Sequence, residues 1–345
     1  MLQVSKNNLR AFFLLIVILT FDSCEKDEST PAIIGNWTST GFSSDSKAYL
    51  LGIKDSSIFV SSGVLYRTTD DGNNWTALYN PYNSLNGKCF HTNGNNIFLG
   101  FVDEIFMSND NGNNWSLIGS NLSGTVNALA SIDSTIYVGT LCGVHATVNN
   151  LYTWTNIYSG FPVSNSSYPY LETNDLAVKD NNLFAATYGV YLYNQQNSSW
   201  SSVSNGLPLD IVTSLAISGN TIFASTWNHG VYFSNNNGSS WTEKSKGLPQ
   251  NNGLEYYQIQ SITAFGNYIF AVVKGHIYLS TINGNSWTII SGFPATNDIQ
   301  TSVAVKDNIL YCGGGYVIDP DVYHPQTVGQ IWKCDLNSLH SIPRR

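Results

Sequence analysis

Seven tryptophans, at positions 37, 75, 115, 154, 200, 241 and 287, divide the chain into steps of 38 to 46 residues. Short alternating or β-branched runs fill each step, most clearly Val212–Ser218 and Thr221–Thr226, with Gly/Asn turns between them. This is the composition of strands and hairpins. A period near 40 residues with strand-rich units predicts an all-β propeller, in which each repeat is one four-stranded blade. Each blade buries its apolar faces only against its neighbours, so the number of repeats sets the architecture.

The last repeat is incomplete. Gln300–Lys306, Ile309–Gly313 and Gln330–Leu336 supply three strands, and the chain then ends without a tryptophan strand. The missing strand is available near the N-terminus, in Gly35–Gly41 around Trp37. A strand from one end of the chain that completes the last blade removes an exposed sheet edge. The sequence therefore predicts one seven-bladed propeller over residues 35–345, closed by the N-terminal strand around Trp37.

Two turns share a longer motif. Thr68–Trp75 and Ser108–Trp115 both fit Ser/Thr-x-Asp-x-Gly-x-x-Trp, in register with the tryptophan period. A carboxylate in a tight turn accepts backbone N–H groups, glycine adopts positive φ, and the indole packs between blades. We therefore expect structural roles for six residues: Asp70, Gly72, Trp75, Asp110, Gly112 and Trp115. A calcium loop would offer further carboxylates, so no metal site and no cofactor are predicted.

This motif resembles the Asp-box, or bacterial neuraminidase repeat, and the chain from Gly35 onward resembles Asp-box propellers of the sialidase-like superfamily. The resemblance implies that the boxes lie on the face opposite the functional site. It covers several activities, among them sialidases, xyloglucan hydrolases built from two propellers, and propellers that assist assembly of membrane complexes, such as photosystem II assembly factors. Sialidases need several arginines that grip the substrate carboxylate. Beyond the N-terminal segment the chain offers Arg67, Arg344 and Arg345 alone, so sialidase activity is not expected.

The N-terminus reads as a targeting segment. Lys6 and Arg10 precede the apolar run Ala11–Phe21, which is too short to span a bilayer, as in a signal peptide over residues 1–23. Ser23-Cys24 resembles a bacterial lipoprotein cleavage site with lipid at Cys24, and Glu25–Ser29 resembles the acidic tag of Bacteroidetes surface lipoproteins. Residues 24–34 would then be a flexible tether. The predicted location is the bacterial outer membrane, exposed at the surface or facing the periplasm; an ordinary signal peptide with a stray cysteine is the alternative.

The net charge of the chain argues against nucleic acid as a partner. The whole chain has 15 Lys and Arg against 23 Asp and Glu; removing residues 1–23 leaves 13 − 22, or −9. A negative surface repels phosphate backbones, so no nucleic-acid partner is expected, and contact with the membrane is expected only through the lipid.

Cys312 and Cys334 are predicted to lie on neighbouring strands, offset by about two positions. This offset leaves two alternatives open, a strained disulfide and unpaired cysteines. We expect a monomeric domain.

The binding candidates lie in loops that enter the innermost strands or join the second and third strands, on one face of the disc. Three insertions fall there: Phe161–Leu171, Gln250–Tyr257 and Gly314–Gly329. Long loops with aromatic and amide groups are where ligand contacts concentrate. The predicted ligand-binding residues are Tyr168, Tyr170, Tyr188, Trp227, His229, Tyr256, Tyr257, His276, Tyr316 and Tyr323.

The carboxylates on the same face decide between binding and catalysis. Weak catalytic candidates are Glu172, Asp175, Asp210, Asp298, Asp319 and Asp321; for each of them the favoured interpretation is a solvated loop carboxylate or a strand-entry cap. The leading hypothesis is a non-catalytic, surface-anchored binding or scaffold propeller that recognises a glycan or a protein. The alternative is a glycoside hydrolase that acts on a neutral glycan through two of these carboxylates. A purely structural partner in an outer-membrane assembly is the third hypothesis.

Overall fold

A computed structural model describes residues 33–78, 87–147, 153–162, 172–251, 253, 255–283, 286–293, 302–318 and 326–339. Within these ranges the secondary structure is β, apart from one 3₁₀ turn at Leu336–Ser338. None of the described segments forms a helix long and apolar enough to cross a bilayer.

The first two strands, β1 (Ile33–Ile34) and β2 (Trp37–Ser44), pair with the last two blades. Blade 1 consists of β3 (Tyr49–Lys54), β4 (Ser57–Ser62), β5 (Val64–Thr68) and β6 (Thr76–Leu78). Blade 2 consists of β7 (Cys89–Asn93), β8 (Asn96–Gly100), β9 (Val102–Ser108) and the first part of β10 (Ser116–Ile132). The second part of β10 opens blade 3, followed by β11 (Thr135–Thr140), β12 (Gly143–Thr147) and β13 (Trp154–Asn156).

Blade 4 consists of β14 (Asp175–Lys179), β15 (Asn182–Thr187), β16 (Gly189–Asn194) and β17 (Ser199–Ser202). Blade 5 consists of β18 (Val212–Ser218), β19 (Thr221–Thr226), β20 (Val231–Ser234) and β21 (Thr242–Glu243). A small hairpin, β22 (Gln250–Asn251) and β23 (Glu255–Tyr256), follows. Blade 6 consists of β24 (Ile259–Phe265), β25 (Tyr268–Val273), β26 (His276–Thr281) and β27 (Thr288–Ser291). Blade 7 consists of β28 (Ser302–Lys306), β29 (Ile309–Ile318), β30 (Gln326–Asp335) and, from the N-terminus, β2.

The ring closes as predicted. β2 runs antiparallel to β30, with Trp37 opposite Cys334 and Ser39 opposite Trp332, so the N-terminal strand completes blade 7. The innermost strand of each blade contacts the innermost strands of both neighbours, and β28 of blade 7 contacts β3 of blade 1. The prediction of a single seven-bladed all-β propeller is therefore confirmed.

The apolar core is divided among the junctions between consecutive blades, which we call seams. In the described residues each of the seven seams holds one apolar cluster with side chains from both adjoining blades. Both faces of a blade are thus covered, and its second strand is buried at consecutive positions, as in β4. A strand that is covered on both faces has a nearly continuous run of apolar residues. The second strands therefore show the least alternation of apolar and polar residues in the sequence.

Tryptophan and glycine close three of the seams. Gly160, Gly206 and Gly247 each lie six residues after a tryptophan, at φ near +90°, and contact the tryptophan of the next blade. At the seam of blades 3 and 4, Trp200 donates its backbone N–H to Ser159 O (2.7 Å) and its indole N–H to Ile157 O (2.6 Å). The other two seams repeat both bonds with Trp241 and Trp287. The chain follows each glycine with Leu or Phe and Pro, a repeat that the tryptophan spacing alone did not reveal.

The Asp-x-Gly turns lie between the third and fourth strands, on the face opposite the loops described below. Asp70 Oδ1 accepts the hydroxyl of Thr68 (2.7 Å) and the backbone N–H of Asn74 (2.9 Å), and Gly72 N donates to Thr68 Oγ1 (3.0 Å). Asp110 makes the same bonds in its own turn. Hydrogen bonds to the ionised carboxylates lower the pKa of both aspartates to about 2; the main donors are the side-chain amide and backbone N–H of Asn74 at Asp70, and the backbone N–H and side-chain amide of Asn114 at Asp110. Both turns therefore have closed internal networks.

The same turns contact the preceding blade. A Cβ at Gly72 would meet Thr40 of β2 at 2.8 Å, and one at Gly112 would meet Phe59 of β4 at 2.9 Å. Trp115 donates its indole N–H to Gly112 O at 3.0 Å, whereas the indole nitrogen of Trp75 is buried without a partner. Glycine is thus required both by positive φ and by the close approach of two blades.

The structure differs from the sequence prediction in two places. The predicted loop Gly314–Gly329 begins and ends as paired strands, because β29 continues to Ile318 and β30 starts at Gln326. The predicted tether 24–34 ends before Ile33, which pairs in parallel with Ile290 of β27. Strand β10 runs without interruption from blade 2 into blade 3, through a bulge at residues 121–124.

The cysteines that the structure describes are all free. Cys334 lies opposite Leu310 and Cys312 opposite Trp332, which is the offset of two positions that the sequence predicted. Both are buried in the apolar cluster between blades 6 and 7, and burial raises the pKa of both thiols. They act there as small apolar side chains.

Candidate binding site on the loop face

The loop face is built from the turns that join the second and third strands and the segments that enter the innermost strands. Two such turns, at Tyr188 in blade 4 and Trp227 in blade 5, flank the segment Leu209–Ile211 that leads into β18. Tyr188 donates its hydroxyl to Leu209 O (3.1 Å), and Trp227 N donates to Ile211 O (2.9 Å). These contacts bring four apolar side chains of two blades into one surface, which we call the loop-face patch.

The four apolar side chains of the loop-face patch are all exposed. Leu209 is 87% exposed, Tyr188 50%, Trp227 43% and Ile211 38%. These four are half of the eight large apolar side chains exposed in the part of the chain that the structure describes. Scattered exposed apolar residues are normal on a surface, but a contiguous group signals an interaction site.

Asp210 holds the patch in place. Its side chain is 9% exposed, and its two oxygens accept three hydrogen bonds: from Ile211 N (2.8 Å), from Asn228 N (2.8 Å) and from Nδ1 of His229 (2.7 Å). Because a carboxylate can only accept, the hydrogen of His229 lies on Nδ1 and Nε2 remains for other contacts. Asp210 was predicted as a weak catalytic candidate; its oxygens accept hydrogen bonds that fix the loops carrying Trp227 and Ile211.

His229 is placed at the edge of the patch with its imidazole 45% exposed. The sequence offered no partner for it, because Asp210 and His229 are separated by the strands β18 and β19. Leu209 and Ile211 were also missed, since the prediction selected aromatic and polar side chains. The sequence offered one signal for these two residues, the loop segment Leu209-Asp210-Ile211, in which two apolar residues flank an aspartate.

Asp175 is a partly exposed residue whose carboxylate oxygens accept hydrogen bonds from its own blade and from the next one. Its Oδ2 accepts the hydroxyl of Ser214 (2.9 Å) and the backbone N–H of Leu215 (2.8 Å), and its Oδ1 accepts Leu176 N (2.8 Å). These bonds join the innermost strands of blades 4 and 5. Burial raises the pKa of Asp175, and the three hydrogen bonds oppose that shift in part. Its oxygens are engaged by the protein, as those of Asp210 are.

This burial predicts a pH dependence of stability. In the folded state the pKa of Asp175 lies above the ordinary value of 3.8, so its neutral form is favoured by folding. The associated stability is present below pH 3.8 and is lost as pH rises through the raised pKa. The Asp175→Asn variant cannot ionise there. We expect the free energy of unfolding of the wild type, relative to this variant, to fall from acid pH toward neutral pH in urea titrations. A flat difference between the wild type and Asp175→Asn would contradict the assignment.

The remaining described candidates lie around blades 3 to 6. Glu172 is exposed and accepts a hydrogen bond from Asn127 (3.1 Å). Tyr256 donates to Glu243 (3.1 Å), and with Gln250 it borders a groove of about 520 Å³ whose other residues are Glu243–Leu248. The ammonium of Lys274 lies 4.1 Å from the ring centre of Tyr257. Nδ1 of His276 lies 2.9 Å from Lys274 O.

Several predicted residues cannot be placed. Tyr168, Tyr170, Asp298, Asp319, Asp321, Tyr323 and the lipidation candidate Cys24 lie outside the described residues. Tyr316 is described in its backbone, opposite Val328 in the β29–β30 ladder. The structure therefore brings together Tyr188, Trp227 and His229, while Tyr256 and Tyr257 follow along the same face through the bond from Tyr256 N to Asn228 O (2.8 Å).

Comparison with solved structures finds other β-propellers. YCF48 from Cyanidioschyzon merolae matches with a TM-score of 0.62 and 13% identity, over 87% of this chain and 99% of that chain. A structure of YCF48 bound to D1 peptide matches with a TM-score of 0.62 and 13% identity, over 88% and 98%. The GH74 enzyme of Niastella koreensis matches with a TM-score of 0.54 and 16% identity, over 78% of this chain and 50% of the enzyme.

No protein-family model and no curated protein sequence matches the chain. At these identities the structural likeness establishes the propeller fold alone.

Proposed function

We propose that this protein is a non-catalytic binding propeller that holds a partner protein on its loop face. The observation that carries the proposal is the loop-face patch, which gathers half of the exposed large apolar side chains of the described residues. Apolar and aromatic side chains at the centre of an interface supply most of its binding free energy. Asp210 fixes the backbone on both sides of the patch, so little conformational entropy is lost when a partner docks.

A protein fits the patch better than a glycan does. Sugars stack on flat rings, which Tyr188 and Trp227 offer. Leu209 and Ile211 instead present branched aliphatic groups, which match the apolar side chains of another protein. The solved YCF48 complex with D1 peptide supports the idea that a propeller of this shape serves a peptide or protein partner. We infer the same class of function here.

Hydrolysis of a neutral glycan is the alternative. The likeness to half of a GH74 enzyme supports keeping this alternative. A retaining or inverting glycosidase needs two carboxyl groups that face the substrate. Among the described candidates, Asp175 and Asp210 direct their oxygens to protein donors. We therefore propose binding as the function. Assays of hydrolysis on neutral polysaccharides test the alternative.

Leu209→Ala and Trp227→Ala are expected to weaken partner binding roughly tenfold or more each, the effect of removing a buried apolar anchor from an interface. The measurement is quantitative co-purification from membranes of the parent cell, with Ile34→Ala as the control, because Ile34 is equally apolar and exposed but lies on β1. A glycan array is run beside it. If the protein binds a glycan on the array and Trp227→Ala abolishes this binding, the ligand is a glycan and not a protein. If both loop variants still co-purify with the partner, the loop-face patch is not the binding site.

We also propose that the chain is an Asp-box propeller carried to the outer membrane as a surface lipoprotein. The two Asp-x-Gly turns with their closed hydrogen bonds support the first part. The second part rests on the sequence around Cys24. A lipid at this residue would tether the propeller by one of its ends.

The anchor is tested with Cys24→Ala. We expect the wild type to incorporate labelled palmitate and to sediment with outer membranes, and the variant to lose both properties. Protease added to intact cells distinguishes the outer surface from the periplasmic face. Palmitate incorporation by Cys24→Ala, or sedimentation that does not change, would contradict the lipoprotein assignment.

A further inference from the structure

The chain enters the propeller at the outer rim, where β1 is held by several contacts. Ile33 pairs in parallel with Ile290 of β27, the outer strand of blade 6, and is buried in the apolar cluster between blades 6 and 7. Gly35 N donates to Ser291 O (3.1 Å), and Ser291 Oγ donates to Ile33 O (3.1 Å). These bonds fix both the place and the direction of the entering strand.

The direction of β1 follows from the strand beside it. β27 begins after the turn that joins the third and fourth strands of blade 6. The corresponding turns of blades 1 and 2 contain the hydrogen-bond networks of Asp70 and Asp110, and we call the face that bears these turns the box face. β27 therefore runs from the box face toward the loop face, and β1 runs parallel to it. At Ile33 the chain thus points, in its N-terminal direction, toward the box face.

The pairing of β2 in blade 7 gives the same direction. β29 and β30 are the second and third strands of this blade, so β30 starts on the loop face and ends at Asp335 on the box face. Trp37 lies opposite Cys334, one residue before that end. The parallel pairing in blade 6 and the antiparallel pairing in blade 7 therefore both place the entry of the chain on the box-face side of the disc.

Covalent geometry limits the distance between this entry and a lipid on Cys24. Cys24 precedes Ile33 by nine residues. Nine residues span about 30–32 Å when fully extended, and about 15–18 Å as a coil. From Leu310, which is level with Trp37, β29 continues eight residues to Ile318 on the loop-face side, or about 26 Å. A coil of nine residues does not reach past this hairpin, so the lipid stays on the box-face side.

We propose that the anchored propeller turns its box face toward the bilayer and its loop-face patch away from it. This orientation rests on the lipid proposed at Cys24. The seven residues of β18, Val212–Ser218, separate the patch from the box face by about 23 Å. A segment buried in the bilayer does not reach the patch. The partner is therefore a protein, or a domain of a protein, that lies outside the bilayer.

The test compares labels at the two ends of one blade. Leu209→Cys lies on the loop face of blade 5, and Ser239→Cys lies in the exposed turn between β20 and β21, on the box face of the same blade. The lipidated full-length variants are labelled with a thiol-reactive fluorescent donor and added to preformed phosphatidylcholine vesicles that contain an acceptor lipid. The wild type, labelled in the same way, measures the contribution of the native thiols, and thermal melts check that both variants are folded.

We expect energy transfer to the acceptor lipid to be more efficient from Ser239→Cys than from Leu209→Cys. A Gly/Ser segment of about 30 residues inserted after Ser29 should remove most of this difference, because a long coil lets the disc turn. A difference that survives this insertion overturns the role of the short tether.

The anchor and the orientation fail in different ways. Equal transfer from both positions, or stronger transfer from Leu209→Cys, in protein that floats with the vesicles overturns the orientation and leaves the lipid anchor intact. If the wild type does not float with the vesicles, the lipid at Cys24 is refuted, and the orientation that depends on it is refuted as well.

Discussion

Removal of residues 1–44 is expected to abolish cooperative folding of the propeller. The deletion takes away β2 and leaves β30 with an unpaired edge, including the partners of Trp37 and Ser39. It also removes Phe42, whose ring packs 5.0 Å from both Tyr66 and Trp75 across the seam of blades 7 and 1. Loss of one large core side chain costs about 3–5 kcal/mol. A domain has a free energy of unfolding of about 5–15 kcal/mol. The free energy lost with the strand, its hydrogen-bond ladder and the two aromatic contacts of Phe42 is therefore expected to exceed the stability of the ring.

The measurement is thermal unfolding followed by circular dichroism, with near-ultraviolet signals for tryptophan packing. The matched control removes residues 1–32 and keeps every described strand, including β1 and β2. We expect the control to melt as the full chain does. A sharp transition at the same temperature after removal of residues 1–44 would show that blade 7 is stable with three strands, and the closure described here would then contribute little.

Gly160→Ala is expected to destabilise the fold by about 3 kcal/mol or more. A Cβ at this position would lie 2.0 Å from the backbone oxygen of Trp200 and 2.9 Å from its backbone nitrogen. The obstacle is backbone rather than a flexible side chain, so relief requires blades 3 and 4 to separate. Separation breaks the bond from Trp200 N to Ser159 O and opens the stack of Phe161 on Trp200, whose ring centres are 4.7 Å apart. Overpacking costs about 1–3 kcal/mol, and positive φ adds about 1–2 kcal/mol.

Gly219→Ala is the matched control. Gly219 also has positive φ, at 54°, but a Cβ there would meet nothing within 4 Å. Its cost is therefore limited to the conformational strain of about 1–2 kcal/mol. Urea titrations of the two variants separate the close approach of the blades from the backbone conformation. Equal destabilisation by the two substitutions would show that the seam relaxes easily at Gly160.

The propeller could be predicted from the sequence because its repeat is expressed in local chemistry. Tryptophan spacing, β-branched runs and Gly/Asn turns each depend on a few neighbouring residues, and they recur with one period. The incomplete last repeat and the spare strand around Trp37 fixed the closure in the same way. The extension of β29 and β30 into the predicted loop was not foreseen, because Gly314-Gly315 reads as a turn although the ladder continues through it.

The candidate site was predicted only in part. Tyr188, Trp227 and His229 were selected from the sequence as loop residues, and the structure groups their loops around Asp210 and Leu209. The bond between Asp210 and His229 joins residues 19 positions apart, and the contact of Tyr188 with Leu209 joins residues 21 positions apart. Neither contact can be recognised from the spacing of its two residues in the sequence, because the length of the strands between them does not determine which loop residues meet. Asp175 and Asp210 looked alike in sequence to Glu172, and only burial and hydrogen bonding distinguish them.

By itself, the sequence determined the number of blades, the strand that closes the ring and the turns that carry Asp70 and Asp110, because these features arise from periodic hydrophobicity and from bonds within a few residues. The tertiary structure alone decided which side chains meet across a seam. It joined Asp210 to His229 and gathered Leu209 and Ile211 beside Trp227. Such contacts depend on the distance between two backbones that are remote along the chain, and that distance is set only when all seven blades pack together.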